Sequence, residues 1–397
     1  MTGRGEGTET VLRNELKEHL TEKILPFWER LADPEHGGFF GYVDKELNVK
    51  KDADKGCILH ARILWTFATA ARLLGDETYR RYAEYARESL KLFGDPENGG
   101  VYWSITFDGK PADTTKHTYC QAFAIYGLAA YYRLTGREEA LRGAMNLFRT
   151  IEKQCTVYNG YGEAYKADFS PESNEKLSEN GVMATRTMNT LLHVLEAYAE
   201  LYRAGRDEAV REAGERALER LLGTMYNPEK HRLEVFFDDE YRPLLDMQSY
   251  GHDIESGWLI RDAAQTLLPA EKQAPYDAMC LDLIRSVYDR AFTDHGLRNE
   301  CVDGANDELR IWWVQAETML GFAEAWDMTR EDKWSEALRT QWAAIRTMIV
   351  DKRENGEWYW SVREDGSLTE RPMVEEWKCP YHNSRMCMRL MQKELPI

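Results

Sequence analysis

The sequence predicts an all-α protein, an (α/α)6 barrel of about twelve helices with short β-hairpins at one end. Three observations carry that prediction. Glycine-led aromatic stretches recur along the chain at a spacing of about 64 residues. Two helix-length patterns fill each interval between them. Within each interval an apolar helix precedes an amphipathic one.

The punctuation comes first. Gly37-Gly38 opens HGGFFGYVD, Gly99-Gly100 opens NGGVYWSITFDGKP, and Gly160 sits in YNGYGEAY. HRLEVFFDDEYRP, beginning at His231, is a weaker echo, followed by Gly296 in HGLRNECVDGA and Gly356 in NGEWYWSVREDGSLTERP. Aromatic residues alternate after each turn, which reads as short strands or hairpins. Helical patterns then run over 56–74 and 77–93, 115–134 and 137–151, and 181–203 and 208–225. The joints LGDETYR, LTGREEA, AGRDEAV and MTREDKW are short polar turns between antiparallel helices.

The first helix of each pair is rich in small and apolar residues, as in ILHARILWTFATAARLL, YCQAFAIYGLAAYYRL, MNTLLHVLEAYAELY and IWWVQAETMLGFAEAW. The second carries a charged stripe, as in YRRYAEYARESLKLF. Apolar helices belong inside and striped ones outside, so six inner helices ringed by six outer ones follow. The whole chain, residues 1–397, is then a single barrel domain without a linker. An open α-solenoid is the alternative; near-equal units with aromatic caps on one side favour closure. A closed ring has a central cleft, and function belongs at one of its mouths.

Composition narrows the function classes. Of 397 residues, 43% are apolar and 12% aromatic, enough for a large core. Lys plus Arg is 51 against 68 Asp plus Glu, a net charge of −17 that repels phosphate backbones and anionic lipid, so neither nucleic acid nor a membrane surface is expected as partner. No apolar run of transmembrane length is seen, and MTGRGEGTETVLRNEL lacks the apolar core of a signal peptide. Seven dispersed cysteines without a CxxC read as free thiols in a reducing cytoplasm. Any exposed outer helix could pair, so a monomer or weak homodimer is expected.

GxGxxG, the Walker loop, HExxH, GxSxG and zinc-type Cys/His spacings are all absent, so no cofactor or metal is expected. No carboxylate pair stands out from the other acids. Histidine does. His193 lies in the third inner helix with Asn189 four residues earlier on the same face. His252 stands at the entry to the fourth, with Glu255 on its face, although Asp253 and Glu255 could equally be a capping cluster. His382 follows Pro380 and falls in the first turn of the last inner helix. The positive end of a helix disfavours imidazolium, which suits His252 and His382 to acid–base work near neutral pH. His60 and His117 flank inner-helix starts, while His19, His36, His231 and His295 fall on outer or turn segments as solvated residues. Arg62, a charge inside an apolar helix, is either an oxyanion stabiliser or half of a buried ion pair. Trp312, Trp313, Glu317 and Trp377 offer flat apolar faces and polar groups of the kind a sugar ring needs.

Together, KGCILHARILW, TKHTYCQAFAIYGL, LSENGVMATRTMNTLLHVLEAY, SYGHDIESGWL, IWWVQAETMLGF and EEWKCPYHNSRMC resemble the N-acylglucosamine 2-epimerase superfamily, and within it the cellobiose 2-epimerases. The resemblance runs from about Gly37 to Cys387 and implies an (α/α)6 barrel that inverts C2 of a reducing-end aldose, here of β-1,4-linked disaccharides, without a redox cofactor. It implies His252 and His382 as the acid–base pair, His193 as a supporting histidine and Arg62 as stabiliser of an enediolate. It further implies Tyr119, Asn189, Glu255, Trp313, Glu317 and Trp377 as substrate contacts, with Trp377 the platform for the second sugar. Other readings stay open beside it: a monosaccharide 2-epimerase or aldose–ketose isomerase for mannose or N-acylglucosamine, a carboxylate-dependent glycosidase or lyase of the same fold, and a non-enzymatic scaffold. The polar residues Arg62, Asn189 and His193 on inner helices speak against the last.

Overall fold

A computed structural model describes residues 5–395, except 159 and 179. Its helices alternate between two concentric rings. The outer helices are α1 (residues 5–29), α3 (Glu77–Leu90), α5 (Glu138–Thr150), α7 (Glu208–Arg220), α9 (Ala274–Ala291) and α11 (Asp332–Ala344). The inner ones are α2 (Cys57–Leu74), α4 (Thr118–Thr135), α6 (Met188–Gly205), α8 (Tyr250–Leu267), α10 (Trp312–Thr329) and α12 (Tyr381–Leu390). Each inner helix packs on the next, and α12 returns to α2, so the ring is closed and the open solenoid is excluded. The sixth pair joins the two ends of the chain, with α1 lying outside α12.

The short polar joints work as their composition suggests. The side chain of Asp76 accepts from the backbone N–H of Thr78 at 2.7 Å, and that of Asp207 from Ala209 at 3.0 Å, which caps the outer helices α3 and α7. α2 is long and apolar enough to cross a membrane by composition, contrary to the sequence reading, yet 78% of it is buried within the ring.

Strands obey the same repeat. The strand leading into an inner helix pairs with the strand following the outer helix of its own pair: Lys55–Gly56 with Ser104–Ile105, Lys116–His117 with Ala164–Tyr165, Arg186–Thr187 with Phe236–Phe237, Met247–Ser249 with Glu300–Val302, and Arg310–Ile311 with Ser361–Val362. In the sixth unit Val43 bridges to Val374 from the opposite end of the chain. These strands all sit at the N-terminal mouth of the inner ring.

The fourth residue of several inner helices pins a hairpin in place. The His60 Nε2 accepts from Phe39 N–H at 2.9 Å, Gln121 accepts from Val101 N–H at 2.7 Å, Asp253 from Leu233 N–H at 3.0 Å and Gln315 from Leu297 N–H at 3.0 Å. His60 is therefore spent on structure, and Asp253 holds a hairpin instead of capping its own helix. His117 is buried too, with its Nε2 2.9 Å from the Asn174 side chain. His19 departs from expectation: it is not a solvated residue but lies against Trp342 and accepts from the Trp358 indole N–H at 2.7 Å. The seven cysteines are all free, and all but Cys301 are buried.

Small residues let the inner helices approach closely. A Cβ on Gly127 of α4 would stand 2.7 Å from the backbone oxygen of Ala61 in α2, inside any permitted contact. Gly127→Ala must push the two helices apart. It should cost about 1–3 kcal/mol in urea unfolding, and an unchanged midpoint would contradict this packing.

Candidate active site

All six inner helices start at one mouth, so residues at equivalent positions form layers across the barrel. The second position brings Tyr119 from α4, Asn189 from α6, Trp313 from α10 and His382 from α12, with His252 at the third position of α8. One turn deeper, the sixth position brings Arg62, Phe123, His193, Glu255 and Glu317. Side chains four residues apart share a helix face, which is why the second layer lies beneath the first.

A cavity of about 230 Å³ occupies this mouth, lined in part by Arg62, Tyr119, Asn189, His193, His252, Glu255, Trp313, Trp377 and His382. Nine of the ten residues that the family resemblance implies as site residues thus line one space. Glu317 does not reach it and lies behind His382. The cavity also takes in Trp312, named with Trp313 in the sequence, and Lys176, Leu177, Trp360 and Arg371, which the sequence did not point to. A second cavity of about 260 Å³ opens at the other end of the barrel. Several of its charges are paired, for example Arg203 with Asp262 at 2.6 Å.

The imidazoles have defined surroundings. Trp313 packs against two of them, its ring centroid 4.9 Å from that of His252 and 5.5 Å from that of His382. Gly251 makes this possible, because a Cβ there would come within 2.5 Å of the indole. The Nδ1 of His382 is 2.7 Å from Glu317 Oε1, and Glu317 also accepts from the Trp258 indole N–H at 2.8 Å. The Nδ1 of His193 is 2.9 Å from Glu196 Oε2. Ionised Glu196 only accepts, so Nδ1 of His193 carries the hydrogen; an ionised Glu317 requires the same of His382, and Nε2 of each ring then keeps its lone pair. The Nδ1 of His252 meets the Ser249 hydroxyl at 2.7 Å.

Arg385, which the sequence reading passed over, ties this layer together. Its Nη2 donates to Glu255 Oε1 at 2.6 Å and to Glu317 Oε1 at 2.7 Å, and its Nη1 donates to Glu196. Glu255, Glu317 and His382 place ligand-type atoms within 4.8 Å of one another, as a metal site would. The guanidinium bonded to both carboxylates supplies the positive charge there instead. Glu196 and Arg385 were findable by the argument applied to Arg62: each is a charge on an inner helix, three residues from a singled-out histidine.

Electrostatics follow burial. Burial brings His252 down to about 3, with His193 adding to the shift and Glu317 opposing it. Burial, then the charges of Arg385 and Arg62, hold His382 well below the usual imidazole range. Burial also lowers His193, against the pull of Glu196. The rings are neutral as expected, but desolvation is the leading cause where the sequence reading credited the helix ends. Burial raises Glu255 to about 8, with Glu317 adding to the rise. Burial would raise Glu196 as well, yet Arg385 and His193 bring it to about 2.

Arg62 makes no ion pair among the described residues. Its guanidinium lies 4.1 Å from the Phe123 centroid and 4.8 Å from that of Tyr381, and its Nη2 donates to the Tyr119 hydroxyl at 2.8 Å. The side-chain oxygen of Asn189 is buried without a hydrogen-bond partner. Both are cavity-lining polar groups whose bonding capacity is not used up. Trp377 stands at the rim against Trp103 and Tyr119, with centroid separations of 5.5 and 5.8 Å. Arg371 stacks over Trp360 at 4.0 Å.

Comparison with known proteins bears on this arrangement. Residues 38–384 match the family model of N-acylglucosamine 2-epimerase (GlcNAc 2-epimerase). The chain is 46% identical to a cellobiose 2-epimerase of Eubacterium cellulosolvens, over 97% of this chain and 100% of that protein. It is 43% identical to a cellobiose 2-epimerase of Ruminococcus albus, over 97% and 99% of the two. The solved cellobiose 2-epimerase of Bacillus thermoamylovorans superposes with a TM-score of 0.94 at 40% identity, covering 96% of this chain and 99% of its own.

With folded-state values below the ordinary one, His252 and His382 stay neutral from about pH 5 to 8. The unfolded chain takes up these protons below its imidazole pKa and the folded one does not, so the rings' contribution to stability is lost progressively as pH falls from that value toward the folded-state ones. Histidine-selective ¹⁵N NMR should show neither ring titrating in that window; a midpoint between 6 and 7 for either would contradict the assignment.

Proposed function

The chain belongs to the N-acylglucosamine 2-epimerase family, and within it we propose that it is a cellobiose 2-epimerase, reversibly inverting C2 of the reducing-end glucose of β-1,4-linked disaccharides. One observation carries the reading: two neutral imidazoles, His252 and His382, project into one cavity from different helices against a shared indole. Inversion at carbon needs that arrangement. A base on one face removes the C2 proton, and an acid on the other returns one. A single base would mostly restore the starting sugar.

The reacting form is the open chain, whose C1 aldehyde acidifies the C2 hydrogen. Proton removal leaves a planar cis-enediolate with charge on O1. Arg62, oriented by Tyr119 and stacked on two rings, is the cation for that charge, a preorganised stabilisation of the kind worth several kcal/mol. Burial that keeps an imidazole neutral also makes it a weak base. Glu317 behind His382 offsets this by stabilising imidazolium as it forms, and His252 has a hydroxyl in the same place. The direction of reaction decides which ring is base. His193, Asn189 and Glu255 hold the sugar hydroxyls, and Trp313 and Trp377 supply apolar faces, Trp377 under the second sugar. Glu317 contributes through His382 and makes no substrate contact. One proton leaves and one returns without net electron transfer, so the chemistry needs no redox cofactor.

The aromatic rim supports a disaccharide over a monosaccharide, because it extends apolar surface beyond the histidines. Seven unpaired thiols support a reducing, cytoplasmic setting.

Incubation with cellobiose alone should yield 4-O-β-glucosyl-mannose, and in heavy water the product should carry deuterium at C2. His252→Ala and His382→Ala should each lower kcat by at least about 10³-fold with an unchanged circular dichroism spectrum. Unlabelled product, a ketose as main product, or turnover by either variant would count against the reading.

A further inference from the structure

The buried charge beneath the histidines is unusual in its stoichiometry. Glu196 from α6, Glu255 from α8 and Glu317 from α10 all converge on one guanidinium, that of Arg385 on α12. All four side chains are buried, with Arg385 at 0% exposure. Tyr381 adds its hydroxyl to Glu196. Neutralisation alone would not require contact with the very carboxylates that back two cavity-lining rings. Glu317 and Glu196 each use one oxygen on Arg385, and each also holds a histidine Nδ1.

We propose that Arg385 is a positioning residue for the epimerisation, fixing through Glu317 and Glu196 which ring nitrogen of His382 and His193 carries the hydrogen. A buried carboxylate without a cation takes up a proton. Protonated Glu317 would become a donor toward Nδ1, and the hydrogen of His382 would move to Nε2. The lone pair needed at the sugar would then face the protein, with the ring otherwise in place. Burial already raises Glu317, and Arg385 is the foremost influence holding it down. The guanidinium thus preserves the base without touching the substrate. Lysine carries the charge but lacks the planar fork that reaches several carboxylates at once.

This role rests on the epimerase reading, and its test separates the two. Wild-type protein, Arg385→Lys and Arg385→Met are compared by ¹⁵N-histidine NMR without sugar, then by kinetics with cellobiose. In Arg385→Met the His382 spectrum should switch from the Nδ1–H to the Nε2–H tautomer. Its kcat should fall by about 100-fold with KM changed less than about 3-fold, and Arg385→Lys should fall by about 10-fold. A folded Arg385→Met with the wild-type tautomer, or with kcat within 3-fold of wild type, would overturn the proposal. Should Arg385→Met fail to fold, Arg385→Lys decides: undiminished kcat overturns, and a reduced kcat with a mixed tautomer population supports. Wild-type protein inert toward cellobiose would instead count against the epimerase reading, because the tautomer measurement needs no turnover.

Discussion

The constraint on which the rest depends is ring closure with the six inner helices in parallel register. Once all six begin at the same mouth, a residue's position within its helix determines its depth in the barrel. The second position becomes a rim of groups facing the cavity, the sixth a layer of mostly polar and charged ones. Paired strands and the hairpin-pinning residues His60, Gln121, Asp253 and Gln315 hold each helix start at its height. Closure itself relies on the chain ends meeting, through Val43 with Val374 and α1 against α12. The same helix, α12, carries His382 and Arg385, so the step that completes the ring also completes the charge layer.

Burial in that layer does two opposing things. It keeps the imidazoles neutral and able to accept, and it weakens them as bases. The carboxylates behind His382 and His193 restore proton affinity as charge develops, and Arg385 favours their ionised form. Neutral ring, ionised support and buried cation form one device, in which the outer members set the state of the inner one.

The architecture was legible because the repeat is written in residues with local consequences: glycine turns, aromatic strands, polar joints and two contrasting kinds of helix. The cavity was legible because polar residues on apolar helices have few places to go. What escaped was relational. Glu196, Arg385 and Ser249 matter through partners that only the folded ring brings together, although the first two carried the same signal as Arg62. Glu317 shares a helix face with Trp313, yet sits a turn deeper, behind His382 and off the cavity wall, a depth that one helix alone does not reveal. The neutrality of His252 and His382 was anticipated, but credited to helix ends because burial depth cannot be read from one helix alone. Lys176 and Arg371 come from connecting loops, whose approach to the cavity no periodicity encodes.

The central claim is that two imidazoles address opposite faces of one carbon. A crystal structure with cellobiitol, the open-chain and non-reacting reduced disaccharide, tests it most directly. The account predicts C2 between the rings, with Nε2 of His252 and Nε2 of His382 on opposite faces and each within about 3.5 Å. Both nitrogens on the same face, or either ring turned away from C2, would contradict it.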